Sequence, residues 1–172
     1  MLSRDGYDNC EFIDCKFSDA DLADVSFMEC TFRICDFSMG HMDNAGIKDA
    51  SFVECNFLGV DLSTCSPFLW KASFEGCQMD LTIFSGMNLK GTRFENCSLK
   101  EADFTNADLT GASFDHCNLE RAIFQGTNLE KTDFRQALNY SFDPGANFLK
   151  KTQFSSSGVM GLLSAYDIIV SP

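Results

Sequence analysis

Nine cysteines and two histidines are the residues of this chain whose types could hold a metal. Repeated thiols could equally pair as disulfides or relay redox equivalents. Their spacing decides among these chemistries. Eight of the nine (Cys10, Cys15, Cys30, Cys35, Cys55, Cys77, Cys97 and Cys117) stand two residues before a large apolar residue, and only Cys65 falls outside that pattern. Small residues such as Ala20, Ala45, Ala102 and Ala112 fill most of the remaining slots, with Thr82, Thr92, Thr127 and Thr132; Met87 is the one bulky occupant. A thiol in that company behaves as a small buried hydrophobe. A tetrahedral metal site needs ligands converging from different directions, and a disulfide needs suitably turned Cβ vectors. Thiols confined to one small slot of a repeating pattern offer neither, so no metal and no cofactor is expected. His41 and His116 are isolated, and no nucleophile elbow, phosphate loop or metal-ligand spacing occurs. The expectation is a protein that is not an enzyme.

The apolar residues that position these thiols keep a strict beat of five. From Tyr7 the centres run through Phe12, Phe17, Leu22 and Phe27 to Leu62, slip by two residues, and resume from Phe74 to Phe134, twenty-five in all. A helix wants a period of 3.6 and a strand a period of 2, so this is neither. It is a repeat architecture, in which each unit buries its apolar residue only by stacking on neighbours.

The unit reads small-polar-Leu/Phe-x-x, as in Ala107-Asp108-Leu109-Thr110-Gly111 followed by Ala112-Ser113-Phe114-Asp115-His116. Over roughly residues 7–136 the chain resembles the pentapeptide-repeat family. The resemblance implies an all-β fold: a right-handed quadrilateral parallel β-helix with the central residue and the small residue two before it pointing inward. It divides the chain into a β-helix over 1–136, with a bulged loop at 63–73, and a short C-terminal helical cap over 137–172. The repeat begins almost at once, which leaves room for only a short N-terminal cap. Each coil would rise about 4.8 Å, the spacing of hydrogen-bonded strands.

With four repeats to a coil, residues twenty apart stack, or twenty-two apart across the slip. One side then reads Phe12, Phe32, Phe52, Phe74, Phe94, Phe114, Phe134, and the next carries Cys15, Cys35, Cys55, Cys77, Cys97 and Cys117 in its small slots. The side centred on Leu22, Met42, Leu62, Phe84, Phe104 and Phe124 has Asp21, Asp24, Asp43, Asp61 and Asp103 among its outward residues and no Lys or Arg; the other three mix signs. One continuous acidic face is expected there, although aspartate is also simply the consensus residue before a centre. The slip falls in a loop holding Pro67, Phe68, Leu69 and Trp70 and leaves one centre missing. Those four residues are a candidate partner-binding loop, since an exposed aromatic knob is a typical hot spot. The competing expectation is that Phe68 or Leu69 turns inward to fill the missing centre.

After Phe134 the beat fails, and Phe148 and Phe154 stand out of register. Ser155-Ser156-Ser157 offers a helix N-cap ahead of an apolar stretch whose Val159, Met160, Leu162, Leu163 and Tyr166 are expected to cap the coil or pair two subunits. The closing Asp167-Ile168-Ile169-Val170 reads as strand-like. The segment Asn139-Tyr140-Ser141-Phe142-Asp143-Pro144, the later Gly-Leu-Leu and the Ile-Ile-Val end resemble the tails of the McbG and Qnr branch of the family. That resemblance implies a dimeric rod that imitates DNA and engages DNA gyrase or another topoisomerase, protecting it from inhibitors. A structural scaffold for another protein remains the alternative. The net charge of -12 argues against direct nucleic-acid binding and suits a basic partner. No run of eighteen apolar residues exists to span a membrane. Reduced thiols point to a cytoplasmic location.

Overall fold

The structure, a computed structural model, describes residues 6–166 and Ile168. Nine short strands are formed: β1 (Tyr7–Asp8), β2 (Glu11–Ile13), β3 (Ser26–Met28), β4 (Thr31–Arg33), β5 (Gly46–Lys48), β6 (Ala50–Val53), β7 (Ala72–Glu75), β8 (Arg93–Glu95) and β9 (Ser113–Asp115). They pair in parallel as β1-β3-β5 on one side and β2-β4-β6-β7-β8-β9 on the next. Single parallel bridges continue the ladders of the other two sides, as in Lys16↔Asp36↔Asn56↔Gln78 and Asp61↔Ile83↔Asp103↔Ile123. The result is a four-sided parallel β-solenoid. Register is twenty residues per coil below the slip (Phe32↔Phe52) and above it (Phe74↔Phe94), and twenty-two across it (Phe52↔Phe74).

Side-chain stacking explains the unbroken phenylalanine column. Ring centroids along it lie 4.8 Å apart at Phe32–Phe52, 5.3 Å at Phe74–Phe94 and 5.1 Å at Phe94–Phe114, with planes within 10° of parallel. Neighbouring sides meet edge to face, as Phe84 and Phe94 do at 5.8 Å and 82°. Offset stacks along the axis and T-shaped contacts across it are the two arrangements that the ring quadrupole favours.

The corners explain the cysteines. At one kind of corner the amide three residues after the centre bonds back to it, as Ala20 N does to Phe17 O (3.0 Å) and Ala102 N to Leu99 O (3.2 Å). At corners following a strand, no such bond occurs among the described residues, and all eight repeat cysteines stand there, two residues after a strand ends. Five of these thiols reach down to carbonyls of the coil beneath, among them Cys35 Sγ to Phe12 O (3.4 Å), Cys55 Sγ to Phe32 O (3.5 Å) and Cys77 Sγ to Phe52 O (3.4 Å). Cysteine is therefore small enough for the slot and adds a weak donor. All nine cysteines are free. Buried threonines make the stronger version of the same bond, from Thr132 Oγ1 to Leu109 O at 2.8 Å and from Thr127 Oγ1 to Phe104 O at 2.9 Å.

One expectation is corrected at the C-terminal end of the ladders. Phe154 is not out of register: Gln153 bridges Asp133, and the Phe154 ring stacks on Phe134 at 5.5 Å and 15°. Phe148 is the outward residue before a further centre, Leu149, and bridges Asn128. The beat fails on two sides only, where Asn139 and Pro144 take the centre positions. Tyr140 and Phe142, both buried, fill the interior in their place. The coil register thus runs on past residue 136. Beyond it, 3-10 segments Gly158–Leu162 and Ser164–Tyr166 fold over the end, and of the three serines expected to cap them Ser155 makes the bond, its Oγ accepting from Gly158 N (3.0 Å). Asp167, Ile169 and Val170 lie outside the described residues, so of the expected terminal strand only Ile168 is placed.

The second correction is in the slip. Neither Phe68 nor Leu69 turns inward; they are 78% and 54% exposed. They form a turn in which Leu69 takes a left-handed conformation (φ 57°), and the middle residues of a turn face solvent. Trp70, half-buried, packs against the core instead.

Candidate protein-interaction surface

The expected acidic side exists, and its local chemistry is built from the repeat itself. Asp21, Asp61 and Asp103 each precede a buried centre and accept the backbone N–H two residues on, from Ala23 (3.1 Å), Ser63 (2.9 Å) and Thr105 (2.8 Å). This is the Asx bond that makes Asp and Asn the natural residues at a corner, and Asp108 and Asp133 make it on other sides. Asp24 sits at the corner itself with φ 61°, accepting from Asn44 Nδ2 at 2.8 Å, while Asp43 is exposed.

What separates this side from the others is the absence of Lys and Arg among its outward residues. On the other sides some carboxylates pair with cations: Arg33 with Glu11 (3.1 Å), Lys71 with Asp49 (2.6 Å), Lys90 with Asp108 (3.2 Å), Arg121 with Glu101 (2.5 Å) and Arg135 with Asp133 (2.7 Å). Hydrogen bonds from the Arg135 guanidinium hold Asp133 below the ordinary carboxylate range. Among the described residues none of Asp21, Asp24, Asp43, Asp61 and Asp103 has a cation within ion-pair distance. The face is not continuous, however. Along the ladder Asp61↔Ile83↔Asp103↔Ile123 acid and isoleucine alternate, and His41 stands above Asp21. The charge gathers on the first three coils, with Asp103 set apart by Ile83.

Repeats of this kind identify their own family. A family model described as "Pentapeptide repeat region" matches residues 25–104, and one described as "Pentapeptide repeats (8 copies)" matches residues 97–136. The chain belongs to the pentapeptide-repeat family. No curated protein matches this pentapeptide-repeat chain. Among solved structures it is similar to trypsin-treated QnrB1, a plasmid-mediated fluoroquinolone resistance protein, at 20% identity over 96% of this chain and 90% of that one, with a TM-score of 0.47. It is also similar to Rfr23 from the cyanobacterium Cyanothece 51142, at 13% identity over 85% and 88% of the two chains and a TM-score of 0.34. HetL from Nostoc sp. strain PCC 7120, a pentapeptide-repeat protein involved in heterocyst differentiation regulation, matches at 16% identity over 86% of each chain with a TM-score of 0.29. These likenesses speak to the fold alone.

The other expected surfaces separate on inspection. In the slip loop Phe68 and Leu69 form an exposed apolar knob beside Pro67, whereas Trp70 belongs to the core's edge. In the tail Leu162 is buried and Leu163 half-buried, so these two cap the coil, while Val159, Met160 and Tyr166 face outward at 39%, 44% and 53% exposure. Tyr140 lies beneath this cap so closely that a Cβ at Gly158 or Gly161 would overlap it. No group of three or more His, Cys, Asp or Glu among the described residues is placed to hold a metal ion, and no helix is long and apolar enough to cross a membrane. Within the cysteine column the neighbouring thiols together with burial raise Cys77 and Cys117, while burial pushes Cys35 up to about 11.

One feature was not singled out in the sequence. Lys71, Lys90 and Arg93 line a common groove of about 550 Å³. They belong to different sides in a sorting by centres, and they meet only because all three flank one corner.

Proposed function

We propose that the protein is a non-catalytic rod whose unpaired carboxylates engage a basic groove of a DNA-handling enzyme, with DNA gyrase or another type II topoisomerase as the partner. The observation that carries the reading is the acidic side without cations. Its five carboxylates spread over five rungs, the fourth held by Ile83, a span of four strand spacings or about 19 Å, which is about one charge per 4 Å. A duplex carries about one per 1.7 Å and each strand about one per 3.4 Å, so the face approximates a single phosphate strand. The choice of gyrase rests on the resemblance of the tail to the McbG and Qnr branch. The outward Val159, Met160 and Tyr166 are the surface on which a second copy would pair, and nine free thiols suit a cytoplasmic location.

The test is a gyrase supercoiling assay with and without a quinolone, alongside direct binding. Binding should weaken steeply with salt and drop when Asp21, Asp43, Asp61 and Asp103 become Asn. Absence of any effect on supercoiling, or binding indifferent to both salt and the Asn changes, rejects the proposal. A second reading is favoured by the exposed Phe68–Leu69 knob: a scaffold that presents this loop to some other protein. A partner lost on Phe68→Ala and Leu69→Ala but retained by the Asn variant supports it instead.

A further inference from the structure

The slip opens the wall of the rod beside Trp70. Ser66 N still bonds Ala45 O (2.9 Å) and Lys71 N still bonds Ile47 O (3.0 Å), but between them the chain leaves the ladder. On the coil above, Asn88 bridges upward to Asp108 and, among the described residues, to nothing below. Trp70 and Asn88 stand in this opening between two cavities. One, about 200 Å³, is walled by Pro67, Met87 and Cys65; the other is the groove of about 550 Å³ that holds Lys71, Lys90 and Arg93.

The groove is a basic spot on an acidic protein. Lys71 is neutralised by Asp49 and Lys90 by Asp108, which leaves Arg93 without an ion pair among the described residues. The indole Nε1–H of Trp70 is buried and has no acceptor among the described residues. An exposed guanidinium fork without an ion pair, two flanking ammonium groups, an indole and an adjoining, largely apolar cavity together describe a ligand with a charged end and a flat apolar body.

We propose that this groove binds a small aromatic carboxylate, its carboxylate on Arg93 with Lys71 and Lys90 beside it, and its ring against Trp70 and the apolar cavity. The groove that takes the carboxylate is lined by none of the five acidic-side carboxylates and by neither Phe68 nor Leu69, so it stands or falls independently of the proposed function.

Trp70 is the one tryptophan of the chain, so intrinsic fluorescence reports on this groove directly. The full chain is titrated with benzoate and with 2-naphthoate, and neutral benzamide serves as the control. Saturable changes are expected at or below about 1 mM for the acids, with at least tenfold weakening in Arg93→Gln, partial recovery in Arg93→Lys and no change in Phe68→Ala. Inorganic phosphate should displace benzoate. No saturation by either acid, equal binding of benzamide, or full affinity in a folded Arg93→Gln protein overturns the proposal. Binding of phosphate without either acid also overturns it.

Discussion

Replacing Phe94 by alanine tests the stacking argument at its centre. The ring is fully buried, lies 5.3 Å from Phe74 and 5.1 Å from Phe114 in parallel stacks, and meets Phe84 and Phe104 edge on at 5.8 and 6.1 Å. Truncating a buried phenylalanine costs about 3–5 kcal/mol, and each lost ring pair adds about 0.5–1.5 kcal/mol beyond area. The walls of a narrow solenoid cannot collapse into the gap without breaking ladder bonds, so the upper end, about 5 kcal/mol, is expected. Phe12 supplies the comparison: it is half-buried and has one phenylalanine stacked on it in its column, Phe32 at 4.8 Å. Phe12→Ala should cost about 2 kcal/mol, because it severs one inter-coil interface where Phe94→Ala severs two. Urea unfolding followed by far-UV circular dichroism measures both. A broadened transition with a lower slope for Phe94→Ala would mark the rod coming apart in two halves. Equal costs at the two positions, or less than about 2 kcal/mol at Phe94, would refute the idea that stability is carried by nearest-neighbour stacks.

Burial pushes the Cys65 thiol from its ordinary value of 9.0 up to about 12, with Asp61 and Asp43 adding to the effect. Its folded-state value lies above the unfolded one, so the stability it contributes is complete below pH 9 and is lost as pH rises towards 12. The slope in that window is about 1.4 kcal/mol per pH unit, and Cys65→Ala should flatten it in urea titrations at stepped pH. The buried thiols should react with Ellman's reagent at pH 8 only after denaturant is added; rapid labelling of Cys77 or Cys97 in the folded protein would contradict their burial. Gly161→Ala should displace the cap, since its Cβ would overlap the Tyr140 carbonyl, and faster proteolysis of the last thirty or so residues would show it. Thr132→Val removes the 2.8 Å bond to Leu109 O and should cost about 1 kcal/mol in the same unfolding assay.

The inside of the rod was legible because the constraint there is periodic: sorting centres by twenty reproduces the ladders Phe32↔Phe52 and Phe74↔Phe94, slip included. Reading failed where a turn interrupts the period. Nothing in the order Pro67-Phe68-Leu69-Trp70 says which ring goes in; a turn at Phe68 and Leu69 decides it and sends Trp70 to the core. Phe154 was misread because counting by fives meets Asn139 and Pro144 first, whereas the stack under Phe154 depends only on Phe134, one coil back. Outward residues are less constrained than the centres, so the acidic side could be listed, but the ladder Asp61↔Ile83↔Asp103 is what shows its carboxylates set apart by Ile83. The Lys71, Lys90 and Arg93 groove needed the corner, which no single side contains.

The coil of twenty makes the faces depend on length in a discontinuous way. Removing residues 93–112 would shorten the rod by one rung and leave every side facing as before, because Ser73 would then pair with Ser113 in the position Arg93 held. Removing a single pentapeptide would instead turn everything beyond it by a quarter revolution, carrying Asp103 away from Asp21 and Asp61. The natural two-residue slip does neither, since the Pro67–Trp70 turn absorbs it and the ladders on both flanks stay aligned. Angular position along this chain is therefore counted modulo twenty, and sequence drift can lengthen the rod in whole coils without redirecting any surface it displays.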